Sequence, residues 1–467
     1  MRKIRYFFET YKYHLLIFLL TFFIVTRFKF DPDLGWHLAI GGYFLKTGHI
    51  LGRDIFSWTL PGYRWGNYFL YDVMVSFVFT KIGFFATAIL FGIVSAISVV
   101  LVLPRKISIL QLTSVFPGIL LLVANAGVRP SNISFLIFSV FLLAVSREFL
   151  RFKNIWFWVI FFAIWANLHT GFLAGLVIFG GYLGINYLWK SARGDKVSLF
   201  ENFCLAAGAF LGTFISPFGF IAWKALILDI FGNKTWVGIA EWQSVFFYFP
   251  MNVIFATSGG IFVFCVYTRF KKIDARMVLL GAFIFAWSFL VVNAAFFWAL
   301  FFIYFCSRNL IFAPKWELRL YAWHKVFIYV FSTIVIFLVP LAFILEVLAW
   351  RSLENGLKID GYPIRALQFM AKNQMTERVF NDYSWGGFID WYEPGIKVFI
   401  DGRMAGWRSG GSYLLSDYDQ ISKGRCQSMS KYGVRNVLVS KKFSEKCFLG
   451  FRKVYSDDVA KVFVRAE

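Results

Sequence analysis

Residues 28–50 read FKFDPDLGWHLAIGGYFLKTGHI. An apolar run ends just before them, and Asp31, Asp33, Trp36 and His37 follow in quick succession. Asp31 suits a helix N-cap, Pro32 the first helical position, and Gly48 the C-cap. The stretch therefore predicts a short helix over 32–47, lying at the outer membrane surface. Asp33, His37 and Gly41 are spaced four apart and share one face; Leu38, Phe44 and Leu45 are free to meet lipid or other helices. Ionisable groups at the end of a membrane helix are costly and point to function. The plain alternative is that Asp31 only caps, Asp33 only favours the positive helix end, and His37 is satisfied by Asp33.

Composition places that helix in a membrane protein. The 467 residues are 59% hydrophobic and 16% charged, with mean hydropathy +0.64, too little charge to cover a soluble domain. Aromatics make up 21%, with 61 Phe, which suits lipid-facing and interfacial surface. The net charge is +22, but the basic residues fall mainly in short loops between apolar segments. That pattern is the positive-inside rule rather than nucleic-acid binding, with an added pull on anionic lipid phosphates. The start, MRKIRYFFETYKYH, is basic and has no small-residue cleavage site after it, so an uncleaved first helix is expected.

Apolar segments near 13–27, 83–103, 108–126, 132–149, 155–168, 171–189, 199–216, 251–269, 277–293, 294–312 and 325–349 predict about eleven crossings. The segment 67–80 reads as an outer juxtamembrane helix, because a crossing there would invert every later loop. Arg2, Lys3, Arg5 and Lys12 put the N-terminus in the cytoplasm. Arg105 and Lys106, then Arg147, Arg151 and Lys153, then Lys190, Arg193 and Lys196, then Lys271, Lys272 and Arg276 mark every second loop as cytoplasmic. Asp31, Asp33, His37, Arg129, His169, Glu241 and everything after 350 then share the opposite, extracytoplasmic side.

The chain divides into a membrane domain, 1–350, with outer juxtamembrane helices at 32–80, and a small extracytoplasmic α/β domain, 351–467. In the latter, RVFNDY, IKVFIDGR, VRNVLVS and AKVFVRAE read as short strands, with GWRSGGS as a Gly-rich connection. Cys204, Cys265 and Cys306 lie in apolar segments and read as packing residues. Spacing leaves open whether Cys426 and Cys447 form a disulfide.

Other polar residues gather at the outer ends of the spans. Arg129, in GVRPSN, is suited to a phosphate by two parallel hydrogen bonds, against simple snorkelling. WANLHTGF places Asn167 and His169 at the end of the fifth span, and AEWQS places Glu241 and Trp242 in a long loop. WGGFIDW and FIDGR supply Trp385, Trp391, Asp401 and Arg403, suited to gripping an acceptor or to an ordinary structural salt bridge. The chain has no Walker loop, GxSxG, HExxH or CxxC. Asp33 and His37, one helical turn apart, are the one pair that could share a divalent cation; no cofactor is otherwise implied.

The opening DPDLGWHLAIGGYFLKTGHILGRDIFSWT resembles that of a group of bacterial membrane proteins with a D-x-D-x-W-W-H-L…G…I-L…G…D-x-F-S-x-T pattern. The likeness continues through VRPSNIS, IWANLHTGFLAG, SPFGF, EWQS, NDYSWGGFIDW, VFIDGR and KYGVRNVLV. The first loop is also similar to that of GT-C glycosyltransferases, including protein O-mannosyltransferases and lipid A aminoarabinose transferases. Gly35 stands where the group has a first tryptophan, and Asn293 lies where it often carries an arginine, which leaves a second phosphate contact without a matching residue.

This resemblance implies a GT-C-like helical fold and a polyprenyl-phosphate sugar donor in a plasma membrane. It implies an acidic first-loop base, for which Asp33 matches best and Asp31 next. By chemistry and side rather than by motif, Arg129 and His169, with Asn167, are the donor-phosphate residues. The acceptor would be an extracytoplasmic glycan, lipid or protein, and Glu241, Trp242, Trp385, Asp401 and Arg403 would be accessory. A lipid or glycan transporter, or an envelope-assembly scaffold, are the other classes.

Overall fold

In a computed structural model, residues 2–66, 68–228, 243–310 and 337–466 are described. The helices in chain order are α1 (Arg2–Val25), α2 (Leu34–Thr47), α3 (Phe69–Leu101), α4 (Ile109–Ser114), α5 (Phe116–Leu121), α6 (Pro130–Ser146), α7 (Ile155–Leu168), α8 (Gly171–Ser191), α9 (Leu199–Gly212) and α10 (Phe220–Ile227). They continue as α11 (Met251–Arg269), α12 (Ala275–Leu290), α13 (Ala295–Asn309), α14 (Val339–Trp350), α15 (Leu353–Ile359), α16 (Ile364–Lys372), α17 (Gly386–Tyr392), α18 (Leu414–Ser422) and α19 (Gln427–Tyr432). The chain forms two compact units, one of Met1–Phe28, Ala88–Ile215 and Ala240–Ala349, the other of Lys29–Thr87, Ser216–Ile239 and Trp350–Glu467. The second unit joins the first loop to the C-terminal segment Trp350–Glu467.

Among the described residues, the regular structure of the first unit is all helical. Every residue of α13 from Ala295 to Ser307 is buried, as expected of a helix that is apolar all round. Phe138 meets Phe297 edge-on at 4.8 Å, and Trp158 packs on Phe179 at 4.5 Å, so aromatic pairs join α6, α7, α8 and α13. By length and composition, Phe69–Leu101, Gly171–Ser191 and Met251–Lys272 can cross a membrane. The other apolar helices among the described residues, such as Pro130–Ser146 and Ala275–Leu290, run 10–17 residues, and the expected crossing at 108–126 is broken into α4, α5 and a 3₁₀ turn. Much of the expected crossing at 325–349 lies outside the described residues.

α3 joins two segments that hydropathy separates. Gly83, at φ 78° and ψ 173°, breaks the run between 67–80 and 83–103. Only glycine takes that conformation without strain.

The second unit contains a four-stranded sheet. Its strands are β1 (Val379–Asn381), β4 (Asn436–Ser440), β6 (Ala460–Arg465) and β5 (Phe451–Ser456), in that order; β2 (Arg408–Ser409) and β3 (Ser412–Tyr413) form a separate hairpin in the Gly-rich connection. β1 runs parallel to β4, while the β4–β6 and β5–β6 pairs are antiparallel. Three of the four expected strands appear. The fourth, IKVFIDGR, is not a ladder strand. Val398 bonds instead to the first loop, donating to Phe56 O at 3.0 Å and accepting from Trp58 N at 3.2 Å. The side-chain oxygen of Asn381 takes the Phe399 N–H at 2.7 Å, so a side chain and a loop satisfy what a neighbouring strand would. Cys426 and Cys447, their Cα atoms 5.0 Å apart, are joined by a disulfide.

Candidate functional site

The predicted helix at 32–47 is present two residues shorter, as α2, ending at Gly48 in the left-handed conformation. Asp31 caps the turn before it, its Oδ1 accepting the Asp33 N–H at 3.0 Å. Asp33 is half-buried, and its Oδ1 also accepts the Trp36 indole N–H at 3.0 Å. The first bond fixes the backbone at Asp33, and the second orients its carboxylate at the helix's positive end.

A wall from the C-terminal segment closes on it. A Cβ on Gly402 would lie 2.0 Å from Asp33 Oδ1, and a Cβ on Gly35 would lie 2.1 Å from the Gly387 carbonyl oxygen. The backbone of α17 therefore reaches α2 only because residue 35 has no side chain, which explains the missing tryptophan. Asp360 accepts the Phe30 N–H at 2.9 Å, and the Tyr362 hydroxyl donates to Phe30 O at 3.0 Å. Burial, then the charges of Asp31, Asp360 and Asp33, push the Tyr362 phenol pKa up, so three carboxylates gather around the start of α2.

His37 is buried. Asp33 was the expected carboxylate partner; the one hydrogen-bonded to His37 Nδ1 is Asp72 of α3, at 2.5 Å. The pair's side chains are 2% and 0% exposed. Among the described residues no group of three His, Cys, Asp or Glu side chains is placed to hold a metal, and the imidazole nitrogen nearest a carboxylate is engaged with Asp72.

Asp401 and Arg403, expected to touch an acceptor, lie in a buried ion cluster. Arg403 reaches Asp54 at 3.0 Å, Asp401 at 2.5 Å and Asp390 at 3.5 Å, with its guanidinium over the rings of Phe56, Trp65 and Trp407. Asp54 also accepts the Ser57 backbone N–H at 2.8 Å. The D-x-F-S-x-T and VFIDGR motifs are thus two halves of one cluster that fixes Gly402 beside Asp33. Burial, then the charge of Asp401, push the Asp390 pKa well up. Trp385 is buried, while Trp391 stacks on Phe30 at 5.4 Å.

Arg129, Asn167 and His169 belong to the first unit. Arg129 precedes α6 and is half-buried. His169 Nδ1 meets Ser134 Oγ at 2.8 Å and accepts the Gly171 N–H at 3.2 Å, and Ser134 Oγ in turn accepts from the Trp165 indole at 2.7 Å. Nδ1 is thus an acceptor, and the ring proton sits on Nε2. Burial, then the charge of Arg129, lower the His169 pKa to about 3. The ring is therefore a neutral donor beside the Arg129 charge, not a second cation. Asn167 spends its amide N–H groups on the carbonyls of Ala163 and Ile215, at 2.8 and 2.7 Å. Glu241 and Trp242 lie outside the described residues.

Sequence reasoning passed over Asp72, Asp54, Asp360, Asp390 and Ser134. For Asp72 there was a signal: a lone carboxylate in the apolar run NYFLYDVMVSF, where an unpaired charge is expensive. Asp54, Asp390 and Ser134 lay inside the motifs GRDIFSWT, NDYSWGGFIDW and VRPSNIS without a role being read for them, and Asp360 gave no signal.

No family model and no curated protein matches the sequence. Among solved structures, the chain is similar to the archaeal oligosaccharyltransferase AglB from Archaeoglobus fulgidus, determined in complex with an inhibitory peptide and a dolichol-phosphate. The TM-score is 0.53 at 11% identity, over 98% of this chain and 75% of that one. A second structure, the Archaeoglobus fulgidus oligosaccharyltransferase in the apo form, gives 0.51 at 12% identity, over 93% of this chain and 70% of that one. At such identity the likeness is one of fold alone: a helical architecture with a small sheet toward the C-terminus.

Proposed function

We propose that this chain is a membrane glycosyltransferase of the GT-C type. It moves a sugar from a polyprenyl-phosphate donor to a hydroxyl of an extracytoplasmic glycan, lipid or protein. The observation that carries the reading is Asp33 at the start of α2, its backbone N–H tied to Asp31 and its carboxylate taking the Trp36 indole N–H, on a fold shared with an oligosaccharyltransferase. The dolichol-phosphate in that neighbour is a lipid phosphate of the same class as the product the donor would leave.

The N-terminus is cytoplasmic in this reading, and the first loop and residues 350–467 are outside. The basic loops support that orientation, and so does the Cys426–Cys447 disulfide, because such bonds persist in oxidising compartments.

Asp33 accepts the proton of the acceptor hydroxyl as its oxygen attacks the anomeric carbon. The bond from that carbon to the phosphate oxygen breaks, and the electron pair leaves with the lipid phosphate. A single displacement inverts the anomeric centre. In the other unit, Arg129 and the neutral Nε2–H of His169 are the groups suited to a lipid phosphate. His37 and Asp72 act as positioning residues for α2, and the Arg403 cluster as the support of the wall at Gly402.

The buried His37–Asp72 pair favours a second reading, a lipid-glycan transporter, since such proteins place paired ionisable groups among apolar helices. One experiment separates the two. The purified chain is reconstituted in vesicles with polyprenyl-phosphate hexoses and pentoses and an envelope extract as acceptor. A transferase releases polyprenyl phosphate, and Asp33→Asn cuts that release at least about 100-fold. Wild-type release by Asp33→Asn removes the base role. Movement of intact labelled lipid without release selects the transporter.

A further inference from the structure

In the first unit, the segment before α7, the last turn of α8 and the loop into α9 enclose a cavity of 530 Å³. Arg151, Lys153, Lys190 and Lys196 bring four cations to its lining, against the carboxylates of Asp195 and Glu201. None of these six side chains has an ion-pair partner among the described residues. Four cations against two carboxylates leave this lining with a net positive charge, which a bound anion would offset. Asn202, also in the lining, carries a buried amide nitrogen with no hydrogen-bond partner.

The surroundings say which anion. Phe152 is in the lining, and Trp156 at the start of α7 and Phe200 and Phe203 on α9 are exposed, Trp156 by 72% and Phe200 by 71%. Large exposed aromatics beside a basic cavity make an interfacial surface that suits acyl chains rather than water. A free phosphate would use the cations and leave these rings bare, whereas a phospholipid uses both.

We propose that this cavity seats the headgroup of an anionic phospholipid. The phosphodiester sits among Arg151, Lys153, Lys190 and Lys196, and the acyl chains run over Trp156, Phe200 and Phe203. The site is independent of the transferase reading and of Asp33, because it involves none of the same residues.

The full chain in detergent is titrated with phosphatidylglycerol or phosphatidylcholine, and retained lipid is counted by native mass spectrometry. Phosphatidylglycerol is expected to bind at least tenfold more tightly. The triple variant Lys153→Gln, Lys190→Gln, Lys196→Gln is expected to lose about 100-fold of that affinity, while Lys271→Gln with Lys272→Gln, in another basic loop, keeps it. Equal binding of the two lipids, or equal loss in both variants, overturns the proposal. So does full displacement of phosphatidylglycerol by millimolar inorganic phosphate, which would make the ligand a soluble phosphate. If the triple variant does not fold, photo-crosslinkable phosphatidylglycerol on the wild-type chain decides: labelling within 150–205 upholds the site, and labelling elsewhere removes it.

Discussion

His37 Nδ1 lies 2.5 Å from Asp72 Oδ1, with both side chains buried. The bond ties α2, which carries Asp33, to α3 across 35 residues of chain. A buried pair of this kind punishes the loss of one partner more than the loss of both. Asp72→Ala should destabilise the protein by about 3–5 kcal/mol, and the double variant His37→Phe, Asp72→Leu should recover most of it. Thermal unfolding in detergent, read as a double-mutant cycle, checks this.

Gly402→Ala puts a methyl where Asp33 Oδ1 now sits, 2.0 Å from the built Cβ position. The carboxylate must swing away. Transfer should fall about 100-fold, the cost of misplacing a reacting group by about 1 Å, while retained donor binding would locate the defect in the chemical step.

Asp390 and Arg403 give a pH prediction. The folded-state pKa of Asp390 is raised by burial and by Asp401. Its contribution to stability is therefore full below the ordinary carboxylate range and is lost as pH rises from there toward the raised value. Asp390→Asn, which mimics the protonated form, should flatten that decline and leave the protein at least as stable at pH 8. Arg403→Met should do the reverse, leaving buried carboxylates unpaired at a cost of about 3–5 kcal/mol. Melting curves between pH 4 and pH 8 (a range of about four units) measure both.

His169 is neutral throughout the physiological range, since its pKa is lowered to about 3. Its depressed pKa contributes stability above the ordinary histidine value, and that stability falls as pH drops from about 6.5 toward about 3. Transfer rates should accordingly show no inflection near pH 6.5 that His169→Gln abolishes. An inflection that does vanish in that variant would mean the ring works as a cation.

The Cys426–Cys447 disulfide closes a loop with a sequence separation of 21. Replacing both cysteines by serine should lower stability by about 3 kcal/mol, as the open loop regains freedom in the unfolded chain. Thiol labelling of intact cells, before and after reduction, would also report the compartment.

Much of the architecture was legible because its causes are local. Gly48 marked the end of α2, whose start falls two residues after Pro32 with Asp33 in the cap position, and the β-branched runs VRNVLVS and AKVFVRAE marked β4 and β6. IKVFIDGR misled for a reason equally physical: its alternation is that of a strand, but its hydrogen bonds go to Asn381, Phe56 and Trp58. Hydropathy found apolar runs, yet it could not see where the run 108–126 breaks into α4 and α5.

What the sequence by itself determined is a chain too apolar to be anything but a membrane protein, with carboxylates at the start of a short helix and a small α/β portion toward its end. Those follow from composition and short-range periodicity, which act residue by residue. The tertiary structure alone decided that His37 pairs with Asp72, that Arg403 gathers Asp54, Asp390 and Asp401, and that Gly402 stands against Asp33. Each joins segments far apart in the chain, and electrostatic partners are chosen by which backbones can approach closely, a matter settled by glycines and packing rather than by spacing.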